Sequence, residues 1–292
     1  MFGSKAASSS SDADDIVALI NLRGVISDST GGGGGFGKSG GITFQNVRHL
    51  LEQAFAIPKV LAVVLVINSP GGSPTQTNLI GSFLRSKADT TKVPVLAVVE
   101  DVAASGGYWL ACAADEIYID PNSMVGSIGV IFQNIGFHEA MKKVGIEARI
   151  ITSVKNKAGL NPMMEYDKDQ EQIIKENMTV VHNNFVDWVK KRRPNLKDNK
   201  DVFSGRVFVG EDAKEKGLVD GVATLSEMLE KKFPDREDLK LIEVKRKMDG
   251  GIWSLLGQLF GRSSHVLGQL SDTLDKIQGN LNLPQVRLYD YH

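Results

Sequence analysis

Ser105 is the residue whose surroundings most directly predict chemistry. It stands in Asp101-Val-Ala-Ala-Ser-Gly-Gly-Tyr-Trp-Leu110, between a valine-rich run typical of a buried strand (93–99) and an apolar run typical of a buried helix (108–114). Two small residues before the serine and two glycines after it permit a sharp strand-to-helix turn. A hydroxyl at the first turn of a helix lies near unpaired N–H groups, so Ser105 is either a candidate nucleophile or an ordinary N-cap.

A second glycine-rich loop follows another buried strand. The apolar run at 60–67 leads directly into Asn68-Ser-Pro-Gly-Gly-Ser73, in which Gly71 and Gly72 carry no Cβ to shield the backbone N–H groups. Such a loop can direct amides at a developing oxyanion, although a plain turn has the same composition. Because open α/β sheets form sites at the carboxyl ends of their strands, the two loops together predict one shared site.

Three segments, in this order, resemble the signal peptide peptidase A (protease IV) family of serine peptidases: 68–73, 101–111 and Val125-Gly-Ser-Ile-Gly-Val130. Gly205-Arg-Val-Phe208 and Gly217-Leu-Val-Asp220 are similar to a later signature of that family. The resemblance extends from about residue 15 to residue 220. It implies an α/β fold like that of Clp protease and crotonase, a superhelix of repeated ββα units. It also implies a Ser–Lys dyad that needs neither a metal nor a cofactor.

The resemblance assigns Ser105 as the nucleophile and requires a lysine as the general base. The family's lysine lies five residues before a proline, an interval that Lys157 and Pro162 reproduce, so Lys157 is preferred to Lys155. The sequence departs from the family at Asn156, where an aromatic residue is usual. An ammonium ion is no base at neutral pH, so the lysine must be kept uncharged by burial. The absence of Asp and Glu between residues 147 and 165 fits that requirement.

Two further roles complete the predicted site. The backbone N–H groups of Gly72 and Gly106 are the predicted oxyanion hole. Ser127 matches a family serine that hydrogen-bonds the lysine, and its other interpretation is a turn residue between two strands.

Three other functions stay open. A Clp-like Ser–His–Asp peptidase would need a histidine base, for which His138 is the candidate. A crotonase-like acyl-CoA enzyme would use the paired backbone amides without a nucleophile. An inactive oligomeric scaffold would retain only the fold. The joint presence of Ser105, Lys157, Ser127 and both glycine loops favours the peptidase.

Composition limits the partners of the protein. With 42% hydrophobic and 24% charged residues the chain of 292 residues is typical of a globular protein, and a net charge of −1 argues against nucleic acid. The single cysteine, Cys112, excludes an internal disulfide and is predicted to pack in the core. We expect a peptide or unfolded-protein substrate and, by resemblance, a homo-oligomeric ring or dome. We expect neither a signal peptide nor a transmembrane segment in this chain, which would leave it soluble or peripherally membrane-associated, in an unknown compartment.

The sequence predicts a disordered segment (1–14), a single peptidase domain (15–248) and an amphipathic helical C-terminal extension (249–292). Apolar residues at helical spacing within 252–277 could contact a membrane surface. The hydrophobic pattern predicts strands at 16–26, 60–67, 93–99, 116–120, 148–152 and 239–244. It predicts helices at 44–55, 77–87, 137–144, 167–192, 211–216 and 225–232.

Overall fold

The computed structural model describes residues 15–28, 41–196, 200–236 and 238–245. The predicted disordered segment 1–14 and the predicted C-terminal extension 249–292, with its membrane-contacting stretch 252–277, lie outside the described residues. Within the described ranges, no helix is both long and apolar enough to cross a membrane.

The described chain forms strands and helices that alternate along most of its length. The strands are β1 (Ile16–Arg23), β2 (Val60–Ser69), β3 (Val95–Ala104), β4 (Glu116–Ile119), β5 (Met124–Gly126), β6 (Val207–Val209), β7 (Gly221–Val222) and β8 (Lys240–Glu243). The α-helices are α1 (Phe44–Ala56), α2 (Pro74–Thr91), α3 (Gly106–Ala111), α4 (His138–Lys143), α5 (Lys168–Arg192), α6 (Gly210–Glu215) and α7 (Leu225–Lys232). Short 3₁₀ turns occupy Lys155–Ala158 and Lys200–Phe203.

These strands build one branched sheet in the order β6-β5-β3-β2-β1-β8. Every pairing is parallel except that of β5 with β6. The long strand β3 divides at its middle: its first half pairs with β4, which continues to β7, and its last three residues pair with β5. The predicted α/β class is therefore confirmed.

Side chains of the central strands alternate between two apolar clusters. Ala18, Ile20 and Leu22 of β1 belong to the cluster that also contains residues of α1, α2 and α3. Val17 and Leu19 belong to the opposite cluster, which contains Met228 and Leu229 of α7 as well. Because successive strand residues point to opposite faces, a strand covered on both sides is apolar along its buried part, as β1 is from residue 16 to residue 20 and β2 from residue 60 to residue 67.

One predicted strand is wrong. Residues 148–152 were expected to pair but are irregular and mostly exposed. A strand needs a neighbour to satisfy its backbone hydrogen bonds, and within the described chain none lies beside this segment.

The C-terminal half of α5 is fixed to α3, the helix that follows Ser105. Phe185 stacks on Trp109 with ring centroids 4.7 Å apart and an interplanar angle of 13°. The Trp188 indole Nε1 donates to the Trp109 carbonyl at 3.1 Å. Arg192 donates to the carbonyl oxygens of Cys112 and Ala114. One face of α5 is thereby positioned beside the carboxyl ends of the strands.

Candidate active site

Ser105 joins β3 directly to α3 in a strained conformation. β3 continues through Ala104, five residues beyond the predicted end of this strand at residue 99. Ser105 has φ 51° and ψ −122°, a conformation that costs an L-residue about 1–3 kcal/mol. It occupies the N-cap position of α3, but its side chain makes no capping hydrogen bond. The hydroxyl is therefore not committed to the capping role that the sequence left open.

The two glycine loops are in direct contact. Gly71 has φ 107°, and a Cβ placed on it would lie 2.8 Å from both the Ala104 oxygen and the Gly106 nitrogen. The loop is held by a bridge to Ile26, whose N–H donates to the Gly71 oxygen at 2.8 Å. Only residues without a Cβ permit this approach, which explains the Pro-Gly-Gly sequence.

Gly72 and Gly106 present two backbone donors close to Ser105. A Cβ on Gly106 would lie 3.3 Å from the Gly72 nitrogen, so the two amides are neighbours. Gly72 has φ 145°, and Gly106 is the first residue of α3. Neither N–H has a hydrogen-bond partner in the part of the chain that the structure describes. Two adjacent unpaired N–H groups beside a hydroxyl can stabilise an oxyanion.

Ser105 opens into a cavity of about 960 Å³. The cavity brings together three of the predicted site residues, Ser105, Gly72 and Ser127. Ser127 has φ 53°, and its N–H donates to the Arg206 oxygen at 2.8 Å. Five segments form the walls: the glycine loop, Ser105, residues 127–131, one face of α5 and residues 203–205.

Lys157 does not line this cavity in the single chain. It lies in the exposed 3₁₀ turn Lys155–Ala158, which contacts the first turn of α5. There the Gln170 Nε2 donates to the Asn156 Oδ1 at 2.7 Å, and Lys155 pairs with Asp169 at 3.4 Å. The cavity wall on α5 begins only further along the helix, at Lys175. The Ser–Lys dyad therefore stays a prediction.

The face of α5 that lines the cavity supplies two residues that the sequence did not predict for the site, Lys175 and His182. Their helical spacing within the predicted helix 167–192 is visible in the sequence, but nothing in the sequence shows that this face lies beside Ser105. His138, the histidine considered as a base, does not line the cavity; its Nδ1 lies 3.3 Å from the Met163 oxygen.

The core behind Ser105 explains the later sequence signature. The Tyr108 hydroxyl donates to the Leu218 oxygen at 2.7 Å, and Arg193 pairs with Asp220 at 2.7 Å. The first contact joins α3 to residues 217–220, and the second joins the end of α5 to the same segment. Cys112 is buried, as predicted, and burial raises the pKa of its thiol to about 12, so it is not a nucleophile.

Comparisons with known proteins identify relatives. The sequence pattern of peptidase family S49 matches residues 87–237. The Na(+)/H(+) antiporter NhaA of Brucella abortus is 39% identical over 235 residues, which are 80% of this chain but 31% of that protein. Protease 4 of Haemophilus influenzae is 31% identical over 218 residues, 74% of this chain and 34% of that protein. This chain thus spans about a third of the length of these relatives.

Two more comparisons differ in coverage. A protein of Methanocaldococcus jannaschii is 30% identical over 241 residues, which cover 80% of this chain and 76% of that protein. A solved structure of a membrane-bound stomatin-specific protease matches with a TM-score of 0.44 and 16% identity. That match covers 75% of this chain and 85% of the other.

Proposed function

Because this chain belongs to peptidase family S49, we propose that it is a serine peptidase with Ser105 as its nucleophile. Its substrates are peptides such as cleaved signal peptides or unfolded polypeptides. The observation that supports this best is the strained Ser105 beside the unpaired N–H groups of Gly72 and Gly106. Family membership also confirms the resemblance drawn from the sequence motifs.

The reaction proceeds through an acyl-enzyme. The Ser105 Oγ attacks the substrate carbonyl carbon while its proton passes to the base, and the carbonyl oxygen becomes an oxyanion held by the Gly72 and Gly106 N–H groups. Collapse of this intermediate breaks the C–N bond, and the base returns the proton to the leaving amine. Water then attacks the ester by the same route and releases the acid. Loss of one oxyanion donor typically costs about 10²–10³ in rate.

The proposed base is Lys157, supplied by a second copy of the chain. It is absent from the Ser105 cavity of its own chain, and it lies on a segment rich in exposed apolar side chains. Ile131 is 86% exposed and Ile151 is 97% exposed, and further exposed apolar residues lie between them. An apolar surface of this extent is typical of a protein–protein contact. A homo-oligomeric ring or dome would cover this apolar surface. It would also remove the Lys157 amine from water and bring the amine close to Ser127 of the neighbouring copy.

Covalent labelling tests the nucleophile. A serine-directed phosphonate should label the wild type and not Ser105→Ala. Lys157→Ala should lose hydrolysis, whereas the matched variant Lys155→Ala should keep it. Undiminished hydrolysis by Lys157→Ala would remove that lysine from the role.

Subunit mixing tests where the base comes from. Ser105→Ala and Lys157→Ala are each expected to be inactive alone. If the dyad forms between subunits, refolding the two variants together restores part of the activity, because some interfaces then carry both intact residues. A mixture with no activity, from oligomers shown to exchange, would contradict the intersubunit arrangement.

The other candidate functions give different results. A histidine base would make His138→Gln inactive and would give activity that levels off above about pH 7, whereas an amine base gives activity that rises into the alkaline range. An acyl-CoA enzyme or an inactive scaffold would not be labelled at Ser105.

The proposed peripheral membrane contact concerns residues 252–277. Flotation with liposomes should differ between the whole chain and a version that ends at Met248. Identical flotation of the two would exclude the C-terminal extension as the contact.

A further inference from the structure

One face of α5 forms a wall of the cavity that contains Ser105. The residues on this wall are Lys175, Met178, Thr179 and His182. Their spacing of three, four and seven residues places them on a single helical face. We call this face the α5 wall.

Among the residues that the structure describes, the α5 wall carries all the titratable side chains that line the cavity. Lys175 and His182 are basic, and no described aspartate or glutamate lines the cavity with them. Lys175 pairs with Glu171 at 2.5 Å, and both residues also line a neighbouring cavity; the lysine side chain stays 63% exposed. Next to the 203–205 wall, Arg206 and Asp201 pair with each other at 3.9 Å.

The two basic residues lie about two helical turns apart on α5. His182 is one helical turn before Phe185, which stacks on Trp109 of the helix that begins beside Ser105. Lys175 is seven residues earlier, which corresponds to about 10 Å along the helix axis. An extended peptide covers that distance with about three residues.

We propose that the α5 wall selects substrates that carry a carboxylate side chain. The acidic residue binds Lys175 by a charge-assisted hydrogen bond, about three residues along the peptide from the residue that faces His182. His182 contributes a polar contact to the peptide. This inference rests on the proposed function, because it assumes that a peptide occupies the cavity.

Equilibrium binding tests this selectivity without depending on catalysis. The full-length Ser105→Ala variant is titrated with a fluorescent, otherwise neutral peptide in which one residue at a time is Gln, Glu or Lys. At one position we expect Glu to bind about fivefold tighter than Gln and Lys to bind more weakly than Gln. The preference should decrease as salt is raised from 50 to 500 mM, since the contact is partly exposed.

Charge reversal on the wall is the decisive comparison. Lys175→Glu should invert the order of the Glu and Lys peptides at that position. Lys191→Glu makes the same change in net charge about 160° around the same helix, outside the cavity, and should leave the order unchanged. His182→Gln should weaken binding of all peptides without inverting the order. An order that is the same in Lys175→Glu and Lys191→Glu, or peptides that do not bind at all, would overturn the inference.

Hydrolysis by the wild type separates this inference from the proposed function. Cleavage of the peptides with no dependence on charge would refute the selectivity and retain the peptidase. Charge-dependent binding without any cleavage would retain the selectivity of the α5 wall and refute the peptidase.

Discussion

Replacing Gly71 with alanine should inactivate the protein by moving its catalytic loops apart. A Cβ at this position would lie 2.8 Å from the Ala104 oxygen and the Gly106 nitrogen, and 2.9 Å from the Ser105 Cβ. All three neighbours belong to the segment that carries the nucleophile, and none is the mobile end of a side chain. The backbone must therefore shift at the oxyanion donor itself.

The magnitude follows from two separate effects. Gly71 has φ 107°, where an L-residue costs about 1–3 kcal/mol. Overpacking adds a further ~1–3 kcal/mol. Gly24→Ala is the matched control, because Gly24 has φ 95° but no atom of the described residues within 4 Å of its Cβ position. The difference between the two variants isolates the steric contact.

The assay combines stability with labelling of Ser105. Gly71→Ala should melt about 2–12 °C below Gly24→Ala, at ~2–4 °C per kcal/mol for a chain of this size. Its rate of labelling by a phosphonate should fall by up to ~10²-fold, since misplacement by about 1 Å has that effect on catalysis. If folded Gly71→Ala and Gly24→Ala are labelled at rates within about twofold of each other, the reasoning on loop contact is wrong.

The remaining predictions concern groups around the site. Asn68→Ala removes the 2.5 Å hydrogen bond to Asp101 that joins the ends of β2 and β3, and should cost about 1 kcal/mol in urea unfolding and slow the labelling of Ser105. Asp220→Asn leaves the buried Arg193 unpaired and should cost about 3 kcal/mol; a cost within the error of the unfolding measurement would contradict the role given to this pair. Burial raises the pKa of the Cys112 thiol from 9.0 to about 12, so above pH 9 the unfolded chain loses this proton while the folded protein keeps it. The stability that the protonated thiol contributes is therefore complete below pH 9 and is lost as the pH rises toward 12. Stability should therefore fall by up to about 1.4 kcal/mol per pH unit in that window, and the fall should be smaller in Cys112→Ala. Equal slopes for both proteins would remove Cys112 as the cause.

The sequence determined the long central strands, most of the helices and the two loops that carry the chemistry. Apolar runs located β2 and β3, and the glycines after them predicted two loops that meet at the carboxyl ends of parallel strands. These features are local, because strand burial and the need for glycine are set by residue type and immediate neighbours. For the same reason α7 was predicted with its bounds, since the Thr224–Glu227 capping box lies within four residues.

Only the tertiary structure decided what lies opposite Ser105. The packing of Phe185 on Trp109 places Lys175 and His182 across the cavity, although these residues are seventy or more positions away in the chain. The same packing leaves Lys157 outside that cavity, whereas its interval to Pro162 had suggested a dyad with Ser105. A motif gives the residue types and their intervals along the chain. The distance between two side chains depends instead on how helices and strands far apart in the sequence pack, which a local motif does not contain.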